Sequence, residues 1–410
     1  MNYPEDSVIK GHFSLISAGL TLASLFLVCF YSAAVPFSSQ APIFPTAERP
    51  PDVPMNEDAG FGGWVVLDIH LAGGQNFPVV VDTGCPTTCL DTSFEPKLGK
   101  RIKTDILWDF GVKSEINIFL APKLFLGKTP LMKIGPYVVT HECKQISSAV
   151  GRPVFGILGM DVLQNYCIQL DFAARKIRFL DYEHENKSRW GTPLALVDIG
   201  DGCVAINDNL AGAPGPGSLV DTGYNQDGWL EAKLFEQWTN RAALSDGEVH
   251  SPRAILGGQI YPEVNLRRID PKLLSTGDTH IKINGLGLRL MARHLVTLDF
   301  PEQTLYLKPI SNGSPNQGLE LEKKSAAKFL KSLERQGKLP GWAKSDSVAG
   351  DRVMVHYAYP FSFVFDIPKS GDPRVYHYTI SRASADSSWQ LTKAWQTDAM
   401  GAIVREYPVP

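Results

Sequence analysis

Two carboxylates in matching settings are the residues of this 410-residue chain best placed to do chemistry. They end the stretches Val79-Val80-Val81-Asp82-Thr83-Gly84 and Ser218-Leu219-Val220-Asp221-Thr222-Gly223. Each stretch is an aliphatic run followed by an acid, a hydroxyl and a glycine. The run favours a buried strand. Asp-Thr-Gly favours the turn at its end, because glycine frees the backbone while Asp and Thr bond their own neighbourhood. A carboxylate at the end of a buried strand is costly unless something compensates it, and two of them in similar halves can compensate each other. Two carboxylates about 3 Å apart cannot both ionise, so the pair holds one proton and titrates as a pair. The ionised member can then take a proton from a water while the protonated member donates to a carbonyl oxygen, so general base and general acid act together.

One Asp-Thr-Gly carries little information, since a given tripeptide occurs about once in several thousand positions, but two copies in one chain are unusual. The flanks add to them. After the first copy come Phe155-Gly156-Ile157-Leu158-Gly159-Met160 and Cys167-Ile168-Gln169-Leu170-Asp171-Phe172; after the second come Asn284-Gly285-Leu286-Gly287-Leu288 and Leu295-Val296-Thr297-Leu298-Asp299-Phe300. Gly159 to Asp171 and Gly287 to Asp299 are both 12 positions, which reads as an internal duplication. A duplicated β-domain whose Asp-Thr-Gly turns are only turns is the plain alternative.

An apolar-apolar-Asp-Thr-Gly strand end, followed 75 residues later by Ile157-Leu158-Gly159, resembles aspartic proteases of the retropepsin and pepsin type. Gly156 to Leu163 followed by an apolar-Asp-Phe strand is most similar to the retropepsin-like branch, while both halves lie in one chain as in pepsin. The resemblance covers residues 60 to 310. It implies a mainly β, pseudo-twofold, two-lobed β-barrel fold with Asp82 and Asp221 as the catalytic pair. It also implies a peptide or protein substrate, no cofactor, no metal and no obligate dimer. Thr83 and Thr222 would lock the turns across the halves, and Gly84 and Gly223 would turn their amides towards the carboxylates. Ile157, Leu158 and Gly159, with Leu286 and Gly287, would pack behind each Asp. Trp108 to Val112 falls where a flap hairpin would, with Gly111 at its tip, an ordinary surface hairpin being equally compatible. Ile255 to Ile260 falls where a second flap would. Its Ile-Leu-Gly mimics the closing motif, but Gly287, not Gly257, keeps the 12-residue spacing. The chain departs from the family where a small residue usually follows the glycine, with Cys85 and Tyr224, and at Gly285, where a bulky residue is usual. These departures favour a second function, a catalytically inactive protease-fold binding protein at the cell envelope. A third reading has only the first half competent, pairing with another chain.

The elements around this pair fall into four segments. Residues 1–58 hold an apolar stretch, Phe13 to Val35, long enough to span a bilayer as a helix. Read as an uncleaved anchor, or as a secretory signal ending at Ser32-Ala33-Ala34, it exports the body, single-pass membrane-anchored or secreted. Its length and poorly basic flank favour the anchor. The Pro-rich run that follows, with Pro42, Pro45, Pro50, Pro51 and Pro54, reads as an unpacked stalk. Residues 59–188 and 189–310 would be the two lobes, and residues 317–410 a small α+β domain built from a helix at Ser325 to Gln336 and an antiparallel sheet. That domain is cystatin-like at the level of fold alone. The 29 prolines and 36 glycines suit a β-rich body, and a net charge of −3 without a basic run argues against nucleic acid. Cys85, Cys89, Cys143, Cys167 and Cys203 are odd in number, with Cys85 and Cys89 close enough to bridge and no zinc-type spacing.

Overall fold

The computed structural model describes residues 49–409 except 57–58, 60–61, 110–111, 182, 201, 240–252, 262–263, 265, 270–282, 311–314, 349–353, 360–361, 383–386 and 399–402. The chain is mainly β, as its composition suggests, with two large mixed sheets of eleven and nine strands. In the first half Val66–Leu71 pairs antiparallel with Phe77–Val81. The second of these carries Asp82 at its end. Val79 and Val81 enter one apolar cluster and Val80 enters another on the opposite face. A strand buried on both faces needs a continuous apolar run rather than an alternating one, which is why Val-Val-Val is the right sequence here.

Gly156–Leu158 runs parallel to this strand, Leu158 opposite Val81, and the Asp82 N–H donates to the Leu158 carbonyl at 3.0 Å. The second half repeats the arrangement: Asn284–Gly287 runs parallel to Ser218–Asp221, with Gly287 opposite Asp221. Gly287 is therefore the closing glycine. Gly257 instead caps a two-stranded hairpin, Ala254–Leu256 with Gln259–Tyr261, whose tip is tied by the Gly257 N–H to Asp208 at 2.8 Å.

A pair of strands forms one seam between the halves. Cys167–Asp171 pairs antiparallel with His294–Asp299, and Gln169 sits opposite Thr297, its Nε2 donating to Thr297 Oγ1 at 3.0 Å. These two residues are separated by the same 128 positions that relate Gly159 to Gly287, so a residue pairs with its own duplicate and the pseudo-twofold axis passes between them.

Lys103–Asp109 and Val112–Leu120 form the hairpin expected as a flap, with Asp109 opposite Val112. Gly111 itself lies outside the described residues. Beyond the two large sheets, helix Pro315–Arg335 packs Ala326 and Leu330 on a five-stranded antiparallel meander through Phe363, Phe365 and Ile380. The helix starts ten residues earlier than its apolar spacing suggests, and Gly337, at φ +67°, stops it as expected.

Two expectations need correction. Leu230 belongs to strand Gly228–Glu231, and only Ala232–Trp238 is helical, because pairing with Asn284–Gly287 outweighs the helical spacing of Leu230, Leu234 and Trp238. The end of the Pro-rich run is not an unpacked stalk. Val53–Pro54 adds to the edge of the sheet at Ile177, Met55 is buried in the core, and Asn56 bonds both Trp64 and Val66. An open sheet edge accepts such a segment despite its prolines. The Cys85–Cys89 pairing that the spacing left open is not made: none of the five described cysteines forms a disulfide, and all five are buried. The apolar stretch at 13–35 lies outside the described residues, and among the described residues no helix is long and apolar enough to cross a membrane.

Candidate active site

The two Asp-Thr-Gly turns are interlocked. The Thr83 N–H donates to Thr222 Oγ1 at 3.0 Å, and Thr83 Oγ1 donates to the Val220 carbonyl at 2.6 Å. Reciprocally, the Thr222 N–H donates to Thr83 Oγ1 at 3.0 Å and Thr222 Oγ1 donates to the Val81 carbonyl at 2.8 Å. Each hydroxyl thus both accepts from and donates to the opposite half. Within each turn the glycine amide faces its own acid, Gly84 N–H to Asp82 Oδ1 and Gly223 N–H to Asp221 Oδ1, both at 2.8 Å.

Glycine is required here for closeness rather than for its own torsion. A methyl on Gly84 would lie 2.7 Å from the Asp221 carboxyl carbon, and one on Gly223 would overlap the Asp82 carboxyl. Each carboxyl group therefore rests on the other half's glycine. Both are buried, at 1% and 0% exposure. Burial pushes the Asp221 carboxyl up to about 7, against the Gly223 N–H, Asp82 and the Tyr224 N–H, which favour its ionised form. Ile157 and Leu158, with Leu286, are buried behind the turns, and Gly159 and Gly287 leave room for the backbone of the loops at Cys85 and Tyr224. Every residue expected at the site is thus brought to one place.

Two residues at the site escaped the sequence reading. Trp64 Nε1 donates to the Gly223 carbonyl at 2.6 Å, and Cys203 Sγ donates to the Gly84 carbonyl at 3.4 Å. Trp64 and Cys203 are 139 positions apart, the spacing of Thr83 and Thr222, so they are duplicates of one position. Aligning the halves on that spacing would have found them; residue type hid them, because indole and thiol look unrelated. Trp64→Phe keeps an aromatic side chain, though a smaller one, and removes the donor, leaving a buried carbonyl without it. It is expected to lower the unfolding free energy by about 1–3 kcal/mol in urea titration. Cys203→Ser, which keeps a donor, is expected to change it by less.

Gly285 and Tyr224 also receive a physical explanation. The Tyr224 ring is fully buried and meets Trp229 edge-on at 4.9 Å. Trp229 lies opposite Gly285 in the sheet, where the first half has Cys89 opposite Ile157. The large residue has changed strands: a side chain on Gly285 would run into the Trp229 ring. The departures are a volume exchange rather than decay of the turn. Gly285→Ala overpacks that contact, with an expected loss of about 1–3 kcal/mol in denaturant titration.

On the first-half side, a cavity of about 10 Å³ touches Asp82, lined by Trp64, Val80, Ile146, Ala149, Ile157 and Gly223. Ile146 and Ala149 come from helix Lys144–Val150. Among the described residues no cluster suited to a metal ion occurs.

No family model matches the chain, and no curated protein matches it. Among solved structures, basic 7S globulin from soybean is similar, at 10% sequence identity over 66% of this chain and 96% of that chain, with a TM-score of 0.43.

Proposed function

We propose that this chain is a two-lobed aspartic endopeptidase of the pepsin-like kind, with one site at Asp82 and Asp221. The observation that carries the reading is the reciprocal seat of each carboxyl group on the other half's glycine, held by the crossed threonines. With one proton between them, the ionised carboxylate removes a proton from a water as the water attacks the scissile carbonyl carbon. The protonated partner donates to the carbonyl oxygen, and the resulting tetrahedral centre collapses with proton transfer to the leaving amine. The Gly84 and Gly223 amides hold the inner carboxyl oxygens and fix the outer ones towards the water. Substrates are unfolded proteins or peptides, and the chemistry requires no cofactor. Residues 13–35 would anchor or export this body, so that it works at or beyond the membrane.

The test is incubation of an unfolded protein with the full chain between pH 3 and pH 7 (roughly, from the behaviour of such dyads), with the two single Asp→Asn variants beside it. Equal cleavage by all three proteins refutes the assignment. A second reading, a protease-fold protein that binds without cutting, is favoured by one observation: the pair is buried and the adjoining cavity holds no more than a water. It expects no Asp82-dependent cleavage under any condition.

A further inference from the structure

We propose that helix Lys144–Val150 is a built-in plug of the Asp82/Asp221 site, and that peptide gains access only when this helix withdraws; the proposal rests on the endopeptidase reading above. The first-half sheet turns an apolar face towards the dyad, made by Trp64, Val66, Val80, Cys89, Val139 and Ile157. Ile146, Ala149 and Val150 complete that cluster from the helix. The cavity that several of these residues and Asp82 line together has a volume of about 10 Å³. A single water needs roughly 10–15 Å³ on this measure, and pockets that bind small ligands run to about 300–1,000 Å³. The attacking water could be accommodated there, but not the side chains of a peptide.

The second half closes its matching recess in a different way. Trp229 and Tyr224 fill it from the sheet and from the turn itself, so they cannot leave without unmaking the half. The helix on the first side is a separate piece. It is two turns long, too short to be stable without its contacts. Three apolar side chains face inward, while Lys144, Gln145 and Ser148 face solvent. Polar fastenings tie both of its ends to the rest of the half. The Cys143 N–H donates to Asp91 Oδ2 at 2.8 Å, and Ser147 Oγ clips Val154 by donating to its carbonyl and accepting from its N–H, both at 3.0 Å. Gly151, at φ +73°, ends the helix and gives the segment a hinge beside that clip. Opening breaks the serine clip and the small apolar seat, with both large sheets left intact.

The test uses the full chain as wild type, Ser147→Ala and Ile146→Ala. Binding of a statine-containing peptide, whose hydroxyl mimics the attacked carbonyl, is measured by calorimetry. Both variants are expected to bind at least tenfold tighter than wild type. They are also expected to label Cys89 and Cys143 with a thiol reagent at least tenfold faster, with Cys167 and Cys203 unchanged as the check that the fold is intact. Equal affinity in all three proteins, or no binding to any, overturns the plug. Asp82-dependent cleavage is scored separately. Its absence in every variant sinks the endopeptidase reading, whereas its presence at one common rate in wild type and variants sinks the plug alone.

Discussion

Asp82→Asn and Asp221→Asn are each expected to lower peptide cleavage by about 10²–10⁴-fold, measured as kcat/KM on an unfolded substrate. Under the proposed mechanism either change alone should cost nearly all of the rate, because the two groups would act on one water as a unit and such effects do not add. Asparagine keeps the size of the side chain, and its amide oxygen can still accept from Gly84 or Gly223, so loss of fold is not the expected cause. The wild-type rate should fall as pH rises through about 7, where the pair loses the proton it shares, since burial pushes Asp221 up to about that value. Stability follows the same sign. A carboxyl group whose folded value lies above its unfolded value near 4 binds more proton when folded. Its contribution is complete below pH 4 and is lost as pH climbs to 7. Asp221→Asn removes that slope, so the variant should be more stable than wild type at neutral pH while losing activity. Thermal unfolding at pH 4 and pH 7.5 checks this directly.

Thr222→Val carries the second large effect. Valine fills the same space, but the Thr83 N–H loses its acceptor and the Val81 carbonyl loses its donor, both at the buried junction of the halves. Each group left unsatisfied costs about 1–3 kcal/mol, so the unfolding free energy should drop by about 2–6 kcal/mol. Thr222→Ser, which keeps the hydroxyl, should recover most of it. If valine and serine behaved alike in urea titration, the interlock would contribute nothing. A variant that still folds should also be slow, since the turns would no longer hold the two carboxyl groups against each other's glycine.

The strand-turn units and the partner of each were legible because their signal is local. A buried two-sided strand needs Val-Val-Val, its end needs Asp-Thr-Gly, and equal 12-residue spacings tie each turn to a later strand. Features set by distant neighbours were not legible. Leu230 has helical spacing, and only the strands on either side of its own, Asn284–Gly287 and Leu266–Ile269, make it extended. Val53 and Met55 are two apolar residues among prolines, and only the open edge at Ile177 gives them a place. Gly285 reads in sequence as a loss, and only Trp229, in the space it leaves, accounts for it. Helix Lys144–Val150 was missed because seven residues with three apolar positions give too short a periodic signal to separate from loop.

The seam between Cys167–Asp171 and His294–Asp299 has a consequence for how the protein is made. Gln169 leaves the ribosome 128 residues before Thr297, and at about 5–20 residues per second that is an interval on the order of 6–26 seconds. Through that time the strand has one flank open, which is a template for pairing with a neighbouring nascent chain. Its twin arrives later and closes the gap from within the same molecule. Synthesis of this chain therefore runs as a race between completion in cis and capture in trans, and slower translation or crowded polysomes should raise the aggregated share.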